Sequence, residues 1–237
     1  MDEGFKRSRT GYTDTIILVS VSFLKRKFIM LSIPRDLWIP VSEREENRIG
    51  AVYRIAEMKK GGKGPSFVIA LVNKLFQVQL TYYVLIKMQG FIDIVDSLNG
   101  VDITLLQPVA GYPAGVIHLD GQAALAFARD RAKTDDFARM GQAQILIKAI
   151  IAQVFKIQTW LKLPRVLSVL KRATETNIPF WEWFRLAFMI LFLYSNGIEN
   201  YAITREMVYP TITTQGKKII KPDWNKIRSL TRKILKN

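Results

Sequence analysis

Two short β-branched runs, Thr15–Val21 (TIILVSV) and Phe28–Ile33 (FIMLSI), are separated only by the charged segment Ser22-Phe-Leu-Lys-Arg-Lys27. Each run has strand length, and so short a polar connection between two strands makes a hairpin within a sheet. A sheet needs cover, and the rest of the chain supplies it. Helical patterns over Arg48–Lys59, Pro65–Phe76, Gly90–Leu98, Asp120–Arg131 and Ala138–Gln158 are interspersed with strand patterns over Leu37–Val41, Tyr82–Lys87 and Val101–Leu106. Two more helical stretches, a strand-like segment Tyr201–Ile220 and a helix after Pro222 complete the order. Turn chemistry punctuates it: Gly61-Gly62 ends one helix, Pro65 opens the next, Asn99-Gly100 stops a third, and Asp120 can N-cap a fourth. A Pro- and Gly-rich loop runs from Gln107 to Gly115, and a polar break spans Lys133–Asp136. With no repeat and no linker, this predicts one mixed α/β layer domain over residues 1–237.

Composition narrows the chemistry. An apolar fraction of 49% excludes disorder for the bulk of the chain. The absence of cysteine removes disulfides, thiolate nucleophiles and cysteine-ligated metals together. The single histidine, His118, argues against a Ser-His-Asp relay and reads as structural. Thirty-five Lys/Arg against 20 Asp/Glu give +15, which asks for an anionic partner. Part of this charge sits in the tail: from Gln215 onward there are eight Lys/Arg and one acid, Asp223. No charge-free apolar stretch reaches the ~18 residues of a membrane span. The nearest, Leu186–Tyr194, reads as a buried helix, and the opening Met1-Asp2-Glu3-Gly4 is too polar for a signal peptide.

Arginine placement carries the strongest functional signal. Arg35 follows a strand directly in Ser32-Ile-Pro-Arg-Asp36, where α/β sheets expose groups to ligands. Arg129 and Arg131 close the alanine-rich helix and Arg139 opens the next, with Asp135 and Asp136 between. Arginine suits phosphate because its planar fork donates two parallel hydrogen bonds and stays charged when partly buried. Asp14 lies just before a strand expected to be buried, and Asp2 lies 12 residues earlier. Two such carboxylates could hold Mg²⁺ together with substrate phosphates; a turn residue and a terminal residue are the plainer alternative. Gly61-Gly-Lys-Gly64 lacks the Gly-Lys-Ser/Thr ending of a phosphate loop and reads as a helix-terminating turn. The helices from Pro65 and Ala138 are rich in Ile, Leu, Val and Phe, which packs a core by default and could also enclose a lipid tail.

The order of segments resembles the LytR-CpsA-Psr domain, a cell-envelope phosphotransferase family. The resemblance rests on Thr13-Asp14-Thr15, Ser32-Ile-Pro-Arg-Asp36, Arg48-Ile-Gly-Ala-Val-Tyr53, and Gly90-Phe91 with Val95-Asp96 and Gly100-Val101. It continues with Leu119-Asp120-Gly121, Ala124-Leu-Ala-Phe-Ala-Arg-Asp-Arg131 and Asp136-Phe-Ala-Arg139. It implies an α/β/α sandwich with a central mixed β-sheet and a hydrophobic lipid-binding tunnel. The implied activity is transfer of a phospho-glycan (teichoic acid, capsule or arabinogalactan) to a peptidoglycan hydroxyl, with pyrophosphatase activity as a possible side reaction. The donor would be an undecaprenyl or decaprenyl pyrophosphate-linked glycan, and the site a membrane surface on the extracytoplasmic face. No nucleic acid is expected.

Carried over by position, the resemblance assigns Arg35, Arg129, Arg131 and Arg139 to the pyrophosphate, with Arg48 and Gln142 beside them. It assigns Asp36 and Asp136 as acidic neighbours, and Asp2 and Asp14 as ligands to Mg²⁺ or Mn²⁺. The chain departs from the pattern at Tyr12, where the family has Arg, at Gly50, where it has Asn, and at Gln142-Ala143, where it has Arg-Gln. The family's membrane anchor and first core strand would precede Met1. Two other readings stand beside transfer: a polyprenyl-phosphate-binding module without turnover, and a cell-envelope transcriptional regulator.

Overall fold

The computed structural model describes residues 11–22, 24–130, 136–156, 159, 162–194, 197–213, 216 and 218–235. The chain forms two compact units: Met1–Ser22 with Phe28–Tyr83 and Glu199–Asn237, and Phe23–Lys27 with Val84–Ile198.

The first unit is built on a sheet of β1 (Ile16–Ser22), β2 (Lys27–Ile33) and β9 (Ile198–Ala202), in the order β1-β2-β9. β2 is buried at every position after Lys27, as a continuous apolar run requires when both faces are covered. β1, expected to be buried, is buried only at Leu18, exposed at Val19 and half-buried elsewhere; it stands at the edge of the described sheet. Two antiparallel ribbons join this unit: β3 (Trp38–Pro40) with β4 (Glu46–Arg48), and β10 (Val208–Ile212) with β11 (Lys218–Pro222). Around them lie α1 (Ile49–Lys60), α2 (Gly64–Phe76) and α8 (Trp224–Leu235).

Helix ends here are closed by identifiable groups. The Gly61-Gly62 turn ends α1 as expected, and the Glu57 carboxylate accepts from Gly62 N–H and Gly64 N–H. Gln77 ends α2 in the left-handed conformation. Two carbonyls at that end are taken up by α8: Arg228 Nε donates to Leu75 O and Thr231 Oγ1 to Phe76 O, both at 3.0 Å.

The second unit holds the ribbons β5 (Val84–Ile86) with β8 (Thr174–Thr176) and β6 (Val101–Leu105) with β7 (Gly115–Leu119). Its helices are α3 (Met88–Ser97), α4 (Gly121–Arg129), α5 (Asp136–Val154), α6 (Leu163–Ala173) and α7 (Phe180–Tyr194). β6 alternates strictly, with Val101, Ile103 and Leu105 inward. Those residues share a core with Val95, Leu119, Ala124, Phe127, Leu146 and Ala149. Asp120 caps α4 as expected, its Oδ1 accepting from Ala123 N–H at 2.8 Å. α3 and α6 cross closely at Gly90, where a Cβ would stand 2.6 Å from the Ala173 carbonyl.

The mixed α/β class is as expected, with the strands of the described residues distributed over one three-stranded sheet and four ribbons. One expectation is overturned. Leu186–Tyr194 does not form a buried helix: within α7, Leu193 is buried, but Phe188, Leu191 and Phe192 are exposed.

His118 lies on the outer side of β7. Its Nδ1 is 2.7 Å from Asp102 Oδ1, and Lys156 Nζ donates to Asp102 Oδ2 at 2.7 Å. The Lys156 hydrogen bond first, and that from His118 second, hold the Asp102 carboxyl below its ordinary value of 3.8. A carboxyl depressed in the folded state adds stability above its unfolded value and loses it as pH falls through the folded one. Asp102→Asn should therefore lower the urea midpoint slightly at neutral pH, and the two proteins should converge below about pH 3.8. The difference is small because the three groups are well exposed.

Candidate active site

The start of α1 is tied to two chain segments that are distant in sequence. Gly50 N–H donates to Arg35 O at 2.9 Å, and Ile49 N–H donates to Leu37 O at 2.8 Å. Two N–H groups that a helix start leaves unpaired thus find carbonyls at the end of β2 and beyond it. The Gly50 carbonyl in turn accepts from Thr13 N–H at 2.9 Å and Thr13 Oγ1 at 3.1 Å. Glycine is needed because the three segments meet here: a Cβ on Gly50 would stand 2.8 Å from Thr13 O and 3.1 Å from both Arg35 Cβ and Arg35 O.

This backbone knot sets four charged side chains in a row. Arg35 Nη1 donates to Asp14 Oδ1 at 2.5 Å, and Arg35 Nε lies 3.7 Å from Asp36 Oδ2. Arg48 Nη1 pairs with Asp36 Oδ1 at 3.0 Å. Charges alternate along Asp14, Arg35, Asp36 and Arg48, so the row is close to neutral. Both Asp36 oxygens face cations, which suits the residue to orient the two arginines. Arg35 is the least exposed of the four, at 21% of its side chain, and an anion reaching it meets a fixed fork.

Asp14 keeps Oδ2 without a partner among the described residues, and its side chain is one-third exposed. No three His, Asp or Glu side chains among the described residues group to hold a metal by themselves. The Asp14 carboxylate offers a hard oxygen ligand, the donor type that Mg²⁺ takes. Asp2, the other expected ligand, lies outside the described residues.

The remaining expected site residues belong to the second unit. Arg129 ends α4, exposed, with no partner for its guanidinium among the described residues; it borders an open depression of about 500 Å³ with Gln122, Leu125, Ala126 and Asp130. Arg139 is half-buried in the first turn of α5. Arg131 lies outside the described residues, as does the side chain of Asp136, the first residue of α5. Gln142 is 1% exposed, and neither amide atom has a hydrogen-bond partner among the described residues. It lies on the stripe of α5 that runs from Arg139 through Leu146 to Ala149, and helical side chains lean toward the N-terminal turn.

An unpaired buried amide costs ~1–3 kcal/mol. Gln142→Met, of similar length and apolar, should raise the melting temperature of the ligand-free protein. A fall would show that the amide is satisfied within the fold.

The sequence marks Gly50 only as a departure from the family pattern, not as a contributor to the site. Arg54, one turn further along α1, carries no mark in it: its Cζ lies 5.1 Å from the centroid of the Tyr12 ring, a cation–π contact. The i, i+4 spacing of Gly50 and Arg54 on one helix face was the available signal.

A mixed α/β fold with strand-end arginines and carboxylates around a glycine knot has the makings of a phosphate-handling domain. The same fold is found in the crystal structure of Bacillus subtilis TagV, with a TM-score of 0.74 at 22% identity, covering 98% of this chain and 91% of that one. A structure of TagT bound to LI-WTA matches with a TM-score of 0.75 at 20% identity, over 95% and 85% of the two chains. The chain belongs to the LytR_cpsA_psr family, whose profile matches residues 1–234. Among relatives, it is 28% identical over 174 residues to TagU of Oceanobacillus iheyensis, a polyisoprenyl-teichoic acid–peptidoglycan teichoic acid transferase. That match covers 71% of this chain and 54% of the relative. The chain spans about half the length of the curated relatives it matches.

Proposed function

We propose that this domain transfers a phosphate-linked glycan from a polyprenyl pyrophosphate carrier to a peptidoglycan hydroxyl, at the extracytoplasmic face of the cell membrane. The observation that carries the reading is the Asp14–Arg35–Asp36–Arg48 row knotted at Gly50. Family membership supports it, as do the names of the relatives and TagT's LI-WTA.

The acceptor oxygen attacks the glycan-side phosphorus, the P–O bond to the bridging oxygen breaks, and the lipid monophosphate departs with that oxygen. Such a step needs positioning and charge neutralisation more than covalent help from the protein. Arg35 and Arg48 would exchange their carboxylate partners for pyrophosphate oxygens, while Asp36 holds them in orientation. The resemblance adds Arg129, Arg131, Arg139 and Gln142 as pyrophosphate-binding candidates, and offers Asp36 or Asp136 as the carboxylate that accepts the hydroxyl proton. Arg54 supplies a guanidinium over the ring of Tyr12, the residue that stands in place of the family's arginine. A Mg²⁺ or Mn²⁺ ion held by Asp14, with Asp2 as its candidate partner, would neutralise pyrophosphate charge.

The test incubates the purified chain with a polyprenyl pyrophosphate-linked glycan and peptidoglycan fragments, with and without Mg²⁺, and follows lipid monophosphate and glycan-modified peptidoglycan by mass spectrometry. Both products should form in equal amounts and depend on the metal, and Asp14→Asn should abolish the Mg²⁺ response. Bound lipid pyrophosphate with neither product would favour a binding module without turnover.

A further inference from the structure

α7 has an outward face that the fold leaves uncovered. Phe180, Trp181, Phe184 and Phe188 are 63–75% exposed, and Leu191 is 45% exposed. Phe180, Phe184, Phe188 and Leu191 follow the i, i+4, i+8, i+11 spacing of a single stripe. The Phe180 and Phe184 rings meet edge to face at 5.1 Å, so the stripe is ordered among its own members. Beyond Glu182 the inward side is apolar, through Leu186, Met189 and Ile190 to the fully buried Leu193. The only acid of the helix, Glu182, is turned inward and accepts from Arg185 Nε at 2.7 Å, so the outward face carries no negative charge.

The apolar face of a helix is normally enclosed. Patches of exposed aromatic residues of this kind mark interaction sites. Fifteen residues rise only about 22 Å, short of the ~30 Å hydrocarbon core, and no described helix is long and apolar enough to cross a membrane. Charge then separates the possible occupants. At +15 overall, a second copy of this chain is repelled, whereas anionic headgroups attract it. Arg165, Lys171 and Arg172 on α6, which precedes α7 in the chain with β8 between them, are exposed and unpaired among the described residues. Trp and Phe are the side chains favoured at the boundary between headgroups and acyl chains.

We infer that the outward stripe of α7 docks on an anionic lipid bilayer, lying in the plane of the interface with its rings at the acyl boundary. This surface is independent of the transfer reading, since it requires binding to lipid and no chemistry.

Flotation of the chain with phosphatidylglycerol–phosphatidylcholine vesicles tests it, with pure phosphatidylcholine vesicles and the Phe184→Ser/Phe188→Ser variant as comparisons. Wild type should float with the anionic vesicles and less with the zwitterionic ones, and brominated acyl chains should quench its tryptophan emission. The double variant should bind at least about tenfold more weakly with an unchanged thermal melt, because two exposed rings are lost and no packing is. Wild type that fails to float, or a variant that floats equally well, overturns the inference. So does a wild-type dimer that the variant dissociates while neither protein binds vesicles, since a second copy would then be the occupant.

Discussion

Arg35→Lys is expected to slow glycan transfer by roughly 30- to 1000-fold, the loss of about 2–4 kcal/mol of transition-state stabilisation typical of a preorganised donor. Lysine keeps the charge but has no fork, and Arg35 uses two different nitrogens, Nη1 toward Asp14 and Nε toward Asp36. The melting temperature should fall by no more than about 2–4 °C, because the replacement still pairs with one carboxylate. Arg48→Lys supplies the contrast. Arg48 makes one contact and is half-exposed, so its loss should stay below about tenfold. Full turnover in Arg35→Lys, assayed with the polyprenyl pyrophosphate donor, would remove Arg35 from the pyrophosphate site.

Gly50→Asn is expected to damage fold and activity together. The new Cβ would lie 2.8 Å from the Thr13 carbonyl oxygen and 3.1 Å from the Arg35 backbone, and no side-chain rotation relieves backbone contacts. Overpacking of this kind costs about 1–3 kcal/mol, or roughly 3–10 °C in melting temperature for a chain of this length. The segments that must yield carry Asp14 and Arg35, and a displacement of about 1 Å can cost about 100-fold in rate. Gly50→Ala should shift both readouts in the same direction by a smaller amount. Asparagine is what the family usually has here, so wild-type stability in Gly50→Asn would mean that the three segments do not meet as closely as the knot requires.

Elements whose signal lies in one short window were legible. β2 is legible in an apolar run interrupted only by Ser32, α4 in the Asp120 cap and alanine-rich pattern, and the end of α1 in Gly61-Gly62. β4, β7 and β8 were missed because their signal lies in their partners. β4 is Glu-Asn-Arg, three polar residues that pair with Trp38–Pro40, and β7 presents His118 and Val116 outward. Such strands exist through the ladder they complete, and cross-strand context outweighs intrinsic propensity. α7 misled for the opposite reason: its hydrophobicity was read as burial, whereas composition states only that a surface avoids water and leaves open what covers it.

The candidate site divides in the same way. The sequence by itself determined which chemistry is available: no thiol and one histidine, an arginine and an aspartate at a strand end, an aspartate before another strand, and a motif order that places the chain in its family. These follow from residue identity and local periodicity, which survive in any conformation. Only the tertiary structure decided that Asp14 meets Arg35, that Asp36 faces two arginines, that Arg54 lies over Tyr12, and that Gly50 must lack a side chain. Thr13 and Gly50 are 37 residues apart in the chain, and Asp14 and Arg35 are 21 apart. No local pattern encodes contacts over such separations. They form when burial of β2 and the pairing of the first α1 N–H groups bring the segments within hydrogen-bond reach, and that closure depends on the packing of the whole unit.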